Sequence, residues 1–304
     1  MRVSLVWPLL GLLVVAWGCG SDSPSGTGGS GGAAGTAGMA GSAGVGGNGG
    51  SGGLAPAIGC DPLAPSYCGF PYPNDFFSVE DRGTVTGRRL GLPALVMPID
   101  TSGRRSDPSA FNEMEGFSPG IAAMTHLPGA TVMGLATPVT IGDSLETDSP
   151  TLILNADTGE RVPHWVDRDE WVVEAKKRID AEESLPDFDI PRTLAELQEE
   201  QALMLRPAVR LDDATRYIVA TRGVLDGSGT PVMPSAGFAA LRDGEPGDEV
   251  IESRREHYES IFSTLEAAGV ERDDLQIAWD FTTASKENNT AAMVQIRDDA
   301  FAKY

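Results

Sequence analysis

The sequence predicts a fold that is mainly β with some α, consisting of a β-sandwich with an irregular N-terminal part and one or two C-terminal helices. Two observations support this prediction. Short runs of β-forming residues separated by Pro, Gly and Asp fill the middle of the chain, and helical periodicity is confined to its C-terminal part. We divide the chain into a leader (1–18), a tether (19–59), a β-rich region (60–284) and a final helix (285–304).

The leader has the features of a secretory signal. One basic residue, Arg2, precedes an apolar run of about thirteen residues, which is shorter than the ~20 residues that cross a bilayer as a helix. The run ends in Ala16-Trp17-Gly18-Cys19, which resembles a bacterial lipobox, so we predict that Cys19 is lipidated. An ordinary secretory leader with an incidental cysteine is the alternative.

The tether is predicted to hold the folded part away from the membrane. Residues 20–53 include sixteen glycines, and such a segment has too little apolar surface to offset its chain entropy. As a flexible coil of forty residues it would span about 35 Å. Gly20 follows Cys19 where a sorting Asp would stand, which favours the outer membrane and leaves its periplasmic or outer side open.

The charge of the chain excludes several classes of partner. There are 44 acidic and 23 basic residues, a net charge of −21, and all of this net charge lies after residue 59, because Arg2 and Asp22 cancel before it. Nucleic-acid binding needs a basic surface, and anionic lipid head groups repel an acidic one, so we expect membrane attachment only through the lipid anchor. Three histidines and three cysteines are too few for a zinc-finger cluster. We predict no metal and no cofactor.

Cys60 and Cys68 form an even pair once Cys19 is lipidated. In an oxidising compartment the natural prediction is a disulfide, which would contribute roughly 2.5 kcal/mol by closing a short loop. It would fix the point at which the tether becomes the fold.

Two β-hairpins are predicted. In the first, Asp157-Thr158-Gly159 forms the turn between the strands Thr151–Asn155 and Arg161–Trp165. In the second, the strand Arg216–Thr221 is expected to pair with Pro231-Val232. A partner strand at Ala202–Arg206 and a further strand within 272–283 complete the predicted β-structure.

Two helices are predicted. The first runs from Asp248 to Ala268, has its apolar residues on one stripe and is followed by Gly269. The second begins at the capping residue Ser285 and continues to Tyr304 without a stop signal, which suggests that the chain is a fragment.

Two serines match hydrolase motifs, and neither supports catalysis. Ser118 lies in Gly116-Phe-Ser-Pro-Gly120, but Pro119 has no N–H to donate to an oxyanion, and removing such a donor costs roughly 3 kcal/mol. Ser144 lies in Gly-Asp-Ser-Leu, which names another hydrolase family, but no histidine here follows an Asp by three residues as that family requires. We predict no catalytic residue.

Histidines and an acidic stretch are the remaining candidates. His164 could be a base, although a packed strand histidine is favoured; His257 is expected on a solvated helix face, and His126 in a loop without an evident partner. The acidic stretch could collect Ca²⁺ but lacks the EF-hand spacing, so a solvated loop is favoured. It consists of Asp180, Glu182, Glu183, Asp187 and Asp189.

Four segments, taken in order, form a recognisable set. They are Phe70–Phe77; Met114–Ser118; Leu205–Leu211 with Arg216–Ala220 and Asp226–Pro231; and Asp274–Thr283. In this order they are similar to the N-terminal region of secreted bacterial lipases of the virulence-factor type, which are often lipoproteins. The third segment also resembles the hairpin of bacterial immunoglobulin-like modules, so the sandwich is expected to be of that kind.

The resemblance implies a non-catalytic scaffold of an outer-membrane lipase or carboxylesterase whose α/β-hydrolase domain follows this chain. No catalytic residue of that family has a counterpart here. The alternative function is a surface binding or structural lipoprotein without enzymatic activity.

Overall fold

The computed structural model describes residues 60–100, 102–181 and 192–303. Within this part, eight strands form three antiparallel sheets and are joined to five α-helices, so the prediction of a mainly β fold with some α is confirmed. All the described residues belong to one compact unit. The leader, Cys19 and the tether lie outside the described residues.

β7 and β8, with seven and eight residues, are the longest of the described strands, and together with β4 they form the central sheet. β1 and β2 pair with each other, β3 and β5 flank β6, and β4 and β8 flank β7. The strands are β1 Ser78–Glu80, β2 Arg88–Leu90, β3 Ala123–Thr125, β4 Thr151–Asn155, β5 His164–Arg168, β6 Leu203–Pro207, β7 Arg216–Arg222 and β8 Leu275–Thr282.

The helices differ greatly in how much of their surface they bury. α4 buries one face against α3 and β8, whereas α5 has no buried side chain. No helix in the described ranges is long and apolar enough to cross a membrane. The helices are α1 Trp171–Asp180, α2 Leu194–Glu199, α3 Ala236–Asp243, α4 Glu249–Ala267 and α5 Lys286–Lys303.

Strand β8 is buried over its whole length, including its polar residues. β7 lies beside it in antiparallel register, with Arg216 opposite Thr282 and Val219 opposite Trp279. The predicted strand within 272–283 is therefore present. Its apolar and polar residues alternate, and both faces are nonetheless covered, which requires partners for every polar side chain.

The first predicted hairpin is correct at its turn and at its first strand pair, Leu154 opposite Arg161, but the second strand does not continue along β4. Asn155 N–H donates to the Glu160 carbonyl at 2.9 Å, and Val162 N–H donates to the Ile153 carbonyl at 2.8 Å. Pro163 has no N–H with which to extend the ladder. The chain then leaves for the other three-stranded sheet as β5, so this turn joins two sheets that touch through β4 and β6.

The second predicted hairpin is likewise present only around its turn. β7 pairs with β4 and β8, while Asp226 closes a tight loop by accepting hydrogen bonds from the backbone of Ser228 and Thr230. The predicted partner strand is β6, and it belongs to the other three-stranded sheet. Local turn residues thus predicted where the turns lie, whereas contacts between distant segments determine which strands pair.

Both predicted helices are present as α4 and α5. Asp248 caps α4 through a 2.9 Å bond from the Ile251 N–H, and Gly269 after it has a φ of +79°. Ser285 accepts from the Asn288 N–H at the start of α5. Helices α1, α2 and α3 were not predicted, because each has at most ten residues. The capping box of Thr193 and Glu196 before α2 was a signal that the sequence analysis did not use.

The irregular N-terminal segment, residues 60–77, packs against the central sheet. Trp279 on β8 donates its indole N–H to the Pro73 carbonyl at 2.7 Å, and the buried Asp61 accepts from Arg254 on α4 at 2.7 Å. Cys60 and Cys68 lie side by side with their Cα atoms 4.5 Å apart, a separation that a disulfide spans. The cross-link itself stays a prediction.

Gly116 lies where two backbones approach closely. Phe117 N–H donates to the Thr282 carbonyl at 2.8 Å, and Ala284 N–H donates to the Phe117 carbonyl at 2.8 Å. A Cβ at Gly116 would lie 2.7 Å from the Ala284 nitrogen. The first glycine of the G-x-S-x-G match is therefore needed for packing at the end of β8.

We expect Gly116→Ala to lower the free energy of unfolding by about 2 kcal/mol or more, because the added methyl group meets backbone that has no room to move. Gly120→Ala is the matched control, since the nearest atom to its Cβ is the Ser118 Oγ at 3.9 Å, and its effect should stay within about 0.5 kcal/mol. Urea unfolding at neutral pH measures both. Equal stability of the two variants would contradict the proposed packing role.

Candidate functional site

Ser118 is exposed on a turn, and its Oγ accepts a 3.3 Å hydrogen bond from the Gly120 N–H. Phe117 before it forms only an isolated parallel bridge with Thr283, so no strand of several paired residues leads into a nucleophile turn. Among the described residues no histidine is hydrogen-bonded to the Ser118 hydroxyl. The geometry is that of a surface turn.

Ser144 and His164 are close together but are used structurally. The Ser144 hydroxyl donates to the Ile141 carbonyl at 2.7 Å and accepts from the backbone N–H of His164 at 3.0 Å. The imidazole is fully buried between the Val162 carbonyl and the Thr151 hydroxyl, each at 2.9 Å. Burial lowers the pKa of His164, so the ring is neutral at pH 7. It is the packed strand histidine that the sequence favours.

His126 follows β3 and does have a partner. Its Nε2 lies 2.8 Å from the Glu199 carbonyl, and its ring meets Tyr67 edge-on at 5.0 Å. Of the acidic stretch only Asp180 falls within the described residues, where it pairs with Lys176. In the described ranges no group of three or more His, Cys, Asp or Glu side chains is arranged to hold a metal.

His257 was expected on a solvated helix face; its side chain is 34 % exposed, but it also contacts a buried carboxylate that the expectation missed. Its Nε2 lies 2.9 Å from an Oδ1 of Asp280, which is on β8 and 3 % exposed. The charged neighbours along the helix sequence suggested a water-facing position. However, α4 packs on β8, and this side of the helix therefore meets a buried carboxylate.

Asp280 is held by two cationic or proton-donating partners. Arg216 Nε donates to its other oxygen at 2.6 Å, from the neighbouring strand β7. Burial alone would raise the pKa of Asp280, but the hydrogen bond and charge of His257 and the charge of Arg216 outweigh it and hold the pKa well below the usual range. Asp280 is therefore ionised inside the protein.

Asp75 lies beside it at the end of the N-terminal segment. It accepts from both the N–H and the hydroxyl of Thr282, at 3.0 and 2.6 Å, and Arg88 Nε is 3.3 Å away. Burial raises the pKa of Asp75, the charge of Arg88 opposes this shift, and the nearby negative charge of Asp280 adds to it. The pKa values of the two aspartates are thus shifted in opposite directions, because Asp280 has the stronger donors, His257 and Arg216.

A polar cleft of about 510 Å³ lies over this pair. Arg88 and Arg216 line it together with Thr282. Arg216 Nε donates to the buried Asp280, whereas Arg88 Nε donates to the Ser78 hydroxyl at 2.9 Å and lies 3.3 Å from the carboxylate of the buried Asp75. These contacts at Nε restrict the positions of the terminal nitrogens of both guanidiniums. The other lining residues are Glu80, Arg82, Thr86, Gly87, Asp157 and Ala214, the last with a φ of +50°.

Sequence reasoning missed this arrangement because its residues come from three distant segments. One signal was available: a strand reading Trp279-Asp-Phe-Thr282 places Asp280 and Thr282 on one face between large aromatic residues. Polar groups on a buried strand need partners, which could have marked Asp280 as a paired carboxylate. Nothing local identifies Asp75 or Arg88 as those neighbours.

Comparisons with known proteins found no matching family model, no matching curated protein and no matching solved structure.

We expect Asp280→Asn to lower the free energy of unfolding at pH 7 by about 3 kcal/mol, because a buried carboxylate with two partners is replaced by a neutral amide. The pKa of Asp280 is lower in the folded protein, so its contribution is present above the unfolded value of about 4 and is lost as the pH falls below it. The difference between the variant and the wild type should therefore shrink between pH 4 and pH 2.

Asp298→Asn is the control, since Asp298 is an exposed carboxylate on α5 paired with its neighbour Arg297. Urea unfolding at a series of pH values measures all three proteins. A difference in the free energy of unfolding that stays constant between pH 4 and pH 2 would show that Asp280 does not contribute the stability that is lost at acid pH.

Proposed function

We propose that the protein is a lipid-anchored scaffold of the bacterial cell envelope, itself non-catalytic, that forms the N-terminal region of an outer-membrane lipase or esterase. Its anchor would be Cys19, its spacer the tether, and its partner an α/β-hydrolase domain of the same gene product. The observation that carries the proposal is the exposed helix α5.

α5 extends for eighteen residues without burying a side chain, yet it carries large apolar groups. Met293, Ile296 and Phe301 are 69 %, 62 % and 77 % exposed. A water-exposed helix of this length is only marginally stable on its own, and apolar side chains at its surface favour contact with another domain. We therefore assign α5 as the surface on which the hydrolase domain packs.

The start of α5 is fixed firmly to the fold. Glu115 accepts from the Ser285 N–H at 3.1 Å with one oxygen and from the Val85 N–H at 2.9 Å with the other. A domain that packs on α5 would thus be oriented relative to the central sheet, which a scaffold requires.

The segments that resemble the lipase N-terminal region also contact one another. Phe117 meets Tyr72 edge-on with ring centroids 5.5 Å apart and Phe281 at 6.3 Å. The Leu211 N–H donates to the Pro119 carbonyl at 2.9 Å. Motifs far apart in sequence therefore meet in one core, which supports treating them as one structural unit rather than as separate chance matches.

Lipidation is tested with the full chain in a Gram-negative host. We expect an alkyne fatty acid fed to the cells to label the wild type and to leave Cys19→Ala unlabelled, with that variant moving from the detergent phase to the aqueous phase of Triton X-114. Cys60→Ala should keep the label, because its thiol is outside the lipobox. An unlabelled wild-type protein would refute the anchor.

The scaffold role is tested on the complete product of the gene that encodes this chain. We expect a fluorophosphonate probe to label a serine after residue 304 and none in 60–304, and Ser118→Ala and Ser144→Ala to leave labelling and ester hydrolysis unchanged. Peptide mass spectrometry locates the label. Labelling of either serine, or a gene product without a reactive serine, would reject the proposal.

The alternative, a binding lipoprotein without enzymatic activity, is favoured by the polar cleft. Two arginines, each paired with a buried aspartate and one of them also bonded to the Ser78 hydroxyl, offer donors to a small hydrophilic ligand. A gene product without a reactive serine, together with ligand binding that Arg88→Gln abolishes, would decide for this alternative.

A further inference from the structure

An apolar cavity of about 270 Å³ opens beside Cys68, on the N-terminal segment. Its walls include Phe70 and Tyr72 from that segment, Leu92, Val96 and Met97 from the chain after β2, and Phe111. Nothing in the scaffold role or in the polar cleft uses it.

The walls depend on a close approach that only glycine permits. Gly69 has a φ of +102°, and a Cβ there would lie 3.3 Å from the Val96 Cβ. The backbone next to Cys68 can therefore lie against the short 3₁₀ helix Ala94–Val96, leaving the cavity between them.

The cavity is large enough for an organic ligand. An apolar cavity of about 150 Å³ stays dry and takes benzene, so this one has room for a longer apolar group. Its surroundings extend the nonpolar surface, since Leu95, Ile99 and Phe111 are 43 %, 55 % and 51 % exposed. Such a concave nonpolar surface favours the apolar part of a ligand.

Arg105 is not itself a lining residue, but its guanidinium contacts the backbone of one wall. Arg105 donates from Nη1 to the carbonyls of Leu95 at 2.8 Å and Met97 at 3.0 Å, which holds its guanidinium against the backbone of that wall. Within the described part of the chain Arg105 forms no ion pair, whereas its neighbour Arg104 is paired with Asp100. An arginine fixed in this way offers its remaining donors to a carboxylate.

We propose that this cavity binds a medium-chain fatty acid, with the alkyl chain between Tyr72 and Val96 and the carboxylate on Arg105. The apolar lining binds the alkyl chain of the ligand, and Arg105 makes the acid bind more tightly than a neutral alcohol of equal length. The proposal does not rest on the presence of a hydrolase domain.

The test uses the full chain carrying Cys19→Ala, so that no acyl group of its own is present. cis-Parinaric acid is the probe, because its emission rises when it leaves water, and hexanoate, decanoate, hexadecanoate and decanol are competitors. We expect decanoate to compete at least tenfold better than hexanoate and decanol, and hexadecanoate to gain little more, since the cavity is finite.

Two variants and two controls separate the chain contacts from the charge. Val96→Phe should fill the cavity and abolish probe binding, whereas Val139→Phe, at a site that is 92 % exposed, should not. Arg105→Gln should weaken decanoate about tenfold and leave decanol unchanged, and Arg104→Gln should change neither. If Arg105 only held the wall together, both ligands would weaken equally.

Several results would overturn the proposal. They are no saturable probe binding, competition that keeps rising with chain length, or equal competition by decanol and decanoate. Binding by the Cys19→Ala protein but not by the lipidated wild type would assign the cavity to the protein's own anchor instead. The chain-length series needs no variant, so the test survives if Val96→Phe fails to fold.

Discussion

The central constraint on this protein is that β8 carries polar side chains into a region that excludes water on both of its faces. Asp280, Thr282 and Gln276 are each buried, and an unpartnered group there would cost several kcal/mol. Each is satisfied by a different part of the chain. Gln276 bonds to the backbone carbonyls of Val224 and Val232, Thr282 to Asp75, and Asp280 to His257 and Arg216. Folding the strand therefore requires the N-terminal segment, β7, α4 and the loop after β7 to be in place together.

This requirement explains how an N-terminal segment with little regular structure is held in one conformation. Asp61 accepts from Arg254 and Asn74, and Arg254 stacks over Phe76 with 4.6 Å between its guanidinium carbon and the ring centroid. The pair joins residues 193 positions apart in the sequence. Because breaking a buried pair from one side leaves a charge without a partner, these contacts fix where the segment lies even though each adds little net stability. The segment thus behaves as part of the core.

Local chemistry was enough to predict the elements whose signals lie within a few residues. The cap at Asp248, the apolar stripe of α4 and the turn at Asp157–Gly159 are signals of this kind, and the corresponding elements are present. Strand pairing was not predictable in the same way, since β4 and β5 are joined by a correct turn and still separate into different sheets. The candidate site was missed for the same reason: Arg88, Arg216 and Asp75 acquire their roles only when β8 brings them together. His257 shows the limit clearly, because its sequence neighbours are charged and its spatial neighbour is a buried carboxylate.

The position of α5 connects this constraint to the proposed scaffold role. The helix begins directly after β8, and its first residues are held by Glu115, which also fixes the chain near Val85. Gly116 and Phe117 then attach that same region to the end of β8 through two backbone hydrogen bonds. The orientation of the exposed helix is therefore set by contacts that connect it to β8, a strand that is buried over its whole length.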